Sequence, residues 1–257
     1  MNVTSKDGTT IAFDRAGEGP AVILVSGAST TRLANAGIAA LLAPHFTVFN
    51  YDRRGRGDSG DTTPYAVERE FEDLDALIAE AGGSASVFGS SSGAVLALEA
   101  AAHGLAIPKL ALWEPPFNLD EDGPRRHKEY MTRLAELLAV DRRGDAVEHF
   151  MTLVGLPPEM IAGARNSPMW PGLEDIAHTL AYDAAVMGDS LVPAARVGSL
   201  TVPTLAMDGE ASPPSLRNAA QAIADALPHG HHRTLEGQTH DVDPAVIAPV
   251  VAEFFTG

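Results

Sequence analysis

The sequence predicts an α/β protein: a mostly parallel sheet with helices on both faces and a helical insertion before the last strands. Three observations carry this. Up to about residue 115, short apolar runs of strand type alternate strictly with helical patterns, as crossover-built parallel sheets require. From Pro115 to about Val197 only helical patterns follow, and a strand pattern returns at 201–207. The length of 257 residues, with 45% hydrophobic and 20% charged content, suits one large domain of this kind or two small ones.

Each element has its own signal. Thr10-Ile-Ala-Phe-Asp-Arg15 alternates apolar and polar and reads as an edge strand, whereas Ala21-Val-Ile-Leu-Val25 and Phe46-Thr-Val-Phe-Asn-Tyr51 read as strands buried on both faces. Between them a helix is expected from about Arg32 to Leu42, stopped by Pro44. Phe71, Leu74, Ile78 and Ala81 recur at helical spacing, with Glu68, Glu70, Asp73 and Asp75 mostly on other faces. Ala85–Phe88 is a short strand, Ala94–His103 a small-residue helix and Lys109–Trp113 another strand. Inside the insertion, Tyr130, Leu134, Leu137 and Leu138 mark a helix. After the strand at 201–207 come a helix over Pro214–Leu227, a strand at His232–Leu235 and a last helix ending near Phe255. Pro249 should distort that helix or make it restart near Ala248. The organisation is therefore a core of residues 1–115 and 199–257 with a helical cap over 116–198.

Charge and cysteine usage exclude several chemistries. With 18 Lys+Arg against 34 Asp+Glu the formal charge is −16, which disfavours nucleic-acid and anionic membrane partners. Cysteine is absent, so disulfides, thiolate metal sites and cysteine nucleophiles are excluded. Met1–Gly8 is polar without the order of a secretory signal, and no run approaches the roughly 20 apolar residues of a membrane span. A cytoplasmic location is the expectation.

Gly89-Ser90-Ser91-Ser92-Gly93 is a G-x-S-x-G pattern between a strand and a helix. A serine on so tight a turn clears the sheet edge only if the residues two positions away carry no side chains. Ser91 is thus a candidate nucleophile, placed at a helix N-terminus where backbone N–H groups favour an oxyanion. A helix-capping Ser/Gly loop is the plainer alternative.

With these residues in view, the chain resembles the α/β-hydrolase fold family over nearly its whole length, which implies an eight-stranded sheet. Ser26-Gly27-Ala28 corresponds to the family's oxyanion loop, with Ser26 where histidine is usual. Asp52-Arg-Arg-Gly55-Arg-Gly57-Asp-Ser59 matches the D-x-R-G-x-G-x-S loop, which is structural rather than catalytic there. The resemblance implies that the backbone N–H groups of Ala28 and Ser92 are the oxyanion donors. A serine nucleophile needs a base, and His240 in Gly237-Gln-Thr-His240 fits the Ser, acid, His order. His229, His231 and His232 read as a solvated cluster, not a metal site, and the remaining histidines as structural.

The acid departs from the common pattern. Gly209-Glu210-Ala211-Ser212 carries serine where the family's G-x-x-D has aspartate. Asp208 and Glu210 flank that position, and Glu114 stands at the strand tip Trp113-Glu114-Pro115-Pro116. Some members place the acid there. The zearalenone-type lactone hydrolases are similar in combining a Ser-Ser-Gly elbow, a glutamate before proline and a turn without aspartate. Ser91, His240 and Glu114 are accordingly the expected triad, with Asp208 as the alternative acid.

This set implies hydrolysis of an ester or lactone of a fairly hydrophobic small molecule through an acyl-enzyme, with no metal or cofactor. Phe117, Tyr130, Met131, Phe150, Met151, Met169, Trp170, Tyr182 and Met187 are available either as pocket wall or as cap core. Cofactor-free lyases, cyclases and C–C bond hydrolases share the fold and the same serine and histidine, and a non-catalytic ligand-binding member is the further alternative. Polyanionic ligands are disfavoured, and a homodimer is allowed.

Overall fold

The computed structural model describes residues 1–257. Eight strands form its sheet: β1 (Asn2–Thr4), β2 (Thr10–Ala16), β3 (Ala21–Val25), β4 (Thr47–Tyr51), β5 (Ser86–Ser90), β6 (Leu110–Trp113), β7 (Thr204–Gly209) and β8 (Gly230–Leu235). Their spatial order is β1-β2-β4-β3-β5-β6-β7-β8. β2 runs antiparallel to both neighbours and every other pairing from β4 to β8 is parallel. Thr10–Arg15 is therefore not at the edge, because β1 covers it. Three residues are too few to show a period in the sequence.

The apolar strands are continuous because both faces are covered, and period-2 alternation divides their side chains between two cores. Val22, Leu24, Phe88, Ala111, Trp113, Leu205 and Met207 pack with α1 (Ala36–Leu42) and α11 (Pro244–Thr256). Ile23, Val25, Val87, Leu110, Leu112 and Ala206 face the opposite way, toward α2 (Val67–Glu80), α3 (Ser92–Ala102) and α10 (Pro214–Ala226). This alternation decides which carboxylate can reach which histidine below.

Several boundaries differ from the sequence expectation. The helix expected over 32–42 opens as a 3₁₀ turn, Arg32–Asn35, before α1. α3 begins at Ser92, two residues early, and β8 begins at Gly230. α11 neither breaks nor restarts at Pro249, which lies on an exposed face with Ala245 one turn before it, so the carbonyl that Pro249 cannot serve is turned toward water. On α2, Glu70 and Asp73 are buried and not on the solvent face.

Between β6 and β7 the chain forms α4 (Gly123–Ala139), α5 (Arg143–Leu153), α6 (Pro158–Arg165), α7 (Trp170–Asp175), α8 (Leu180–Val186) and α9 (Ala194–Val197). Tyr130, Leu134, Leu137, Ala146, Val147, Trp170 and Leu180 make an apolar cluster of their own, with Phe150 and Met151 against it. Phe117 and Met187 belong to the main core, Tyr182 stacks on Tyr65 at 3.8 Å between ring centroids, and Met131 and Met169 are exposed. Packing, not a pocket wall, uses most of the Met and aromatic residues of this segment. No helix is long and apolar enough to cross a membrane.

Candidate active site

β3, β5, β6 and β8 all end at the same edge of the sheet, and the candidate residues lie on the loops leaving them there, where ligands of open α/β sheets bind. Ser91 follows β5 directly and caps α3 with φ 53° and ψ −125°, a conformation side chains rarely adopt. The turn is held by the Ser91 N–H donating to the Trp113 carbonyl at 2.8 Å. Both flanking glycines are required by space. A Cβ on Gly89 would come within 2.5 Å of the Gly93 carbonyl oxygen, and one on Gly93 within 2.5 Å of the Ser26 carbonyl oxygen. Gly27 of the β3 loop lies directly against the serine, its Cβ position 3.0 Å from Ser91 Cβ. Ala28 is half-buried beside it, and its N–H has no acceptor within the protein. The Ser92 N–H, at the first position of α3, has no intrahelical acceptor.

His240 sits in the loop between β8 and α11, with the Trp113 indole N–H donating to its carbonyl at 3.0 Å. Its ring Nδ1 lies 2.6 Å from Glu114 Oε2, and Glu114 Oε1 accepts the Gly209 N–H at 2.8 Å. Glu114 is fully buried and takes φ 45° directly after β6, its own N–H continuing the ladder to the Met207 carbonyl at 2.9 Å. Burial acts to raise its pKa. The bonds from His240 and Gly209 outweigh burial and hold the carboxyl below its ordinary value. With Nδ1–H directed at the carboxylate, Nε2 is left as the ring's acceptor nitrogen.

Asp208 is also fully buried but does not reach His240. Its Oδ2 contacts His232 Nε2 and lies 3.4 Å from Thr234 Oγ1, with the Arg217 guanidinium 3.8 Å from Oδ1. His232 is thus paired with a carboxylate and is not simply solvated, whereas His229 and His231 are exposed. Glu210 accepts the Gly237 N–H at 3.0 Å on the surface. No three His, Asp or Glu side chains are gathered where a metal ion could be held.

Sequence reasoning missed what lies beneath the elbow. Arg53, Arg54 and Arg56, in the loop after β4, are all buried. Arg53 makes paired bonds to Glu70 at 2.6 and 2.7 Å, and Arg54 does the same to Asp73 at 2.8 and 2.7 Å. Arg53 Nη1 and Arg56 Nη2 converge on Asp183 of α8 at 2.7 and 2.6 Å. A signal was present: Glu70 lies in helical register with Leu74 and Leu77, so an acid occupies the apolar face of α2. Asp52 binds the Arg32 side chain and accepts the Arg32 and Asp58 N–H groups at 2.7 and 2.9 Å, a structural role.

The eight-stranded, mostly parallel sheet agrees with the comparison to known families. Residues 22–250 match the model of the alpha/beta hydrolase family, and the chain belongs to that family. An alpha/beta hydrolase from Sphaerobacter thermophilus DSM 20745 is 58% identical over 99% of this chain and 100% of that one, with a TM-score of 0.93. The enol-lactonase from Burkholderia xenovorans LB400 shares the fold at a TM-score of 0.73 and 21% identity, over the full length of both chains. The uncharacterized hydrolase YraK of Bacillus subtilis (strain 168) is 38% identical over 96 residues, a match spanning 36% of this chain and only 35% of that protein.

Proposed function

We propose that this chain is a serine hydrolase that cleaves a carboxylic ester or lactone of a small molecule through an acyl-enzyme on Ser91. The observation that carries the reading is the 2.6 Å contact between His240 Nδ1 and the buried Glu114 carboxylate, at the sheet edge where Ser91 stands on its strained turn. In this mechanism His240 Nε2 takes the hydroxyl proton as Ser91 Oγ attacks the carbonyl carbon, and Glu114 stabilises the imidazolium that forms. The Ala28 and Ser92 N–H groups receive the oxyanion. Collapse expels the alkoxide, which takes the proton from His240; in a lactone it stays tethered as a hydroxyl on the acyl chain. Water, deprotonated by His240, then attacks the acyl-enzyme, and Ser91 leaves with that proton.

Open-chain esters and lactones are both included for stated reasons. The Glu114-Pro115 tip is similar to that of zearalenone-type lactone hydrolases, and an enol-lactonase is among the fold neighbours. A net charge of −16 argues against substrates bearing several phosphates. Incubation with a fluorophosphonate probe tests the reading, with peptide mapping and a p-nitrophenyl ester assay alongside. Covalent label on Ser91, and loss of about 10³-fold or more of the ester activity in Ser91→Ala, are expected. Folded protein that stays unlabelled, or a Ser91→Ala variant of full activity, overturns it.

A further inference from the structure

Asp183 is a buried carboxylate, and it belongs to α8 of the insertion rather than to the sheet. Its Oδ1 accepts from Arg53 Nη1 at 2.7 Å and from the Ser92 hydroxyl at 2.8 Å, and its Oδ2 accepts from Arg56 Nη2 at 2.6 Å. Burial works to raise its pKa, but Arg56 and Arg53 hold it below the ordinary carboxylate value. Burying such a cluster is a poor route to stability, since the desolvation of three charged groups offsets most of their attraction. What the cluster provides is fixed geometry.

The other end of Arg56 shows what is being fixed. Its Nη1 donates to the Gly27 carbonyl at 2.6 Å, and the Thr30 hydroxyl donates to the same oxygen at 3.0 Å. That carbonyl and the Ala28 N–H belong to one planar trans peptide and point in opposite directions. Anchoring the oxygen therefore aims the N–H. On the opposite side of the site, Ser92 carries the second expected oxyanion donor in its backbone, and its hydroxyl is tied to Asp183, with Arg53 Nη1 at 3.3 Å.

We propose that Asp183 is a positioning residue for acyl transfer: one insertion carboxylate sets the orientation of both oxyanion donors, Ala28 through Arg56 and Ser92 directly. This rests on the assignment of Ala28 and Ser92 as those donors. The seating of α8 is then a condition of a competent site, so the insertion contributes to catalysis.

Asp183→Asn, Arg56→Lys and Ser92→Ala test the proposal. Lysine keeps the charge beside Asp183 but cannot bridge from it to the Gly27 carbonyl as the guanidinium does. For Asp183→Asn and Arg56→Lys, kcat for a p-nitrophenyl ester falls about 10- to 100-fold while KM stays within about threefold, because the donors act on developing charge. Arg56→Lys and Ser92→Ala each free one donor only and fall at about the tenfold end of this range by the same reasoning. Affinity for a boronic acid, which adds Ser91 Oγ to boron and mimics the tetrahedral state, weakens by the same factor as kcat/KM, while affinity for the product carboxylate is unchanged. A purely structural role predicts lower Tm without this split. If wild type labels at Ser91 and folded Arg56→Lys and Ser92→Ala keep wild-type kcat and boronate affinity, the positioning role is wrong and the serine mechanism stands. Wild type that neither labels nor hydrolyses removes the mechanism and this role with it.

Discussion

Two buried carboxylates, Glu114 and Asp208, each bind a histidine ring within one end of the same sheet, yet the two pairs do not meet: Glu114 reaches His240 and Asp208 reaches His232. Strand alternation separates them. Met207 faces the α1/α11 core, so Asp208 faces the other side with Ala206 before it, and on β8 Thr234 stands opposite Asp208 and His232 opposite Ala206. Arg217 of α10 completes that environment. His240 lies in the loop that enters α11, and its backbone is anchored by Trp113, a member of the α1/α11 core. Glu114 escapes the alternation because it has left the strand: its positive φ swings the side chain across the ends of β6 and β7 to the Gly209 N–H and the His240 ring. An acid at a strand tip can be aimed by a single dihedral, whereas an acid within a strand is committed to a face.

Exchanging the two acids for their amides is the sharpest way to break this comparison. Glu114→Gln should lower kcat on a p-nitrophenyl ester by about 10⁴-fold, the scale of a lost triad acid. Asp208→Asn should leave kcat within about threefold, since Asp208 touches neither Ser91 nor His240. Similar losses in both variants would show that the face-to-face separation does not govern the site.

The histidines offer a second contrast, smaller in energy and read in stability. His232→Ala leaves the Asp208 carboxylate buried with only Thr234 and a distant Arg217 beside it. That costs about 1–2 kcal/mol, or roughly 3–6 °C in Tm, with ester hydrolysis unchanged. A drop in activity without a drop in Tm would move His232 into the site and overturn the division.

What the sequence disclosed follows the same physics. Ala21–Val25 and Phe46–Tyr51 were legible because a doubly covered strand must be apolar throughout, and Ser91 because glycines at 89 and 93 are needed where the Gly93 and Ser26 carbonyls approach. Glu114 was reached through the missing aspartate of Gly209-Glu210-Ala211-Ser212 and the resemblance to relatives that carry an acid after the sixth strand. Asp183 was not. Its partners Arg53 and Arg56 lie 130 and 127 residues away, and a lone acid among Tyr182 and Ala184 carries no local sign of burial. Nor were the arginines, since a charged loop after a strand ordinarily faces water, and the matching acids on α2 and α8, with Asp7 beside Arg54, allow three guanidinium groups to be enclosed. Pro249 misled for the converse reason: its cost depends on whether the freed carbonyl meets water, which periodicity alone does not report.

The smallest effect concerns the pH dependence of the Glu114 contribution. Two influences oppose each other at this carboxyl, burial raising its pKa and the bonds from His240 and Gly209 lowering it, and the lowering prevails. A carboxyl whose folded pKa lies below its unfolded value of about 4.3 contributes stability that is complete above that value and is lost as pH falls through the folded one. Glu114→Gln has no such titration. The stability difference between wild type and Glu114→Gln should therefore be constant near neutrality and shrink on acidification below about pH 4, as urea midpoints at stepped pH would record. A difference that moved the other way, with wild type gaining on the amide variant as acid is added, would mean that burial dominates at Glu114 and that the folded protein prefers the neutral acid. The carboxylate would then be poorly suited to stabilise an imidazolium at His240, and the contrast with Asp208 would lose its chemical basis.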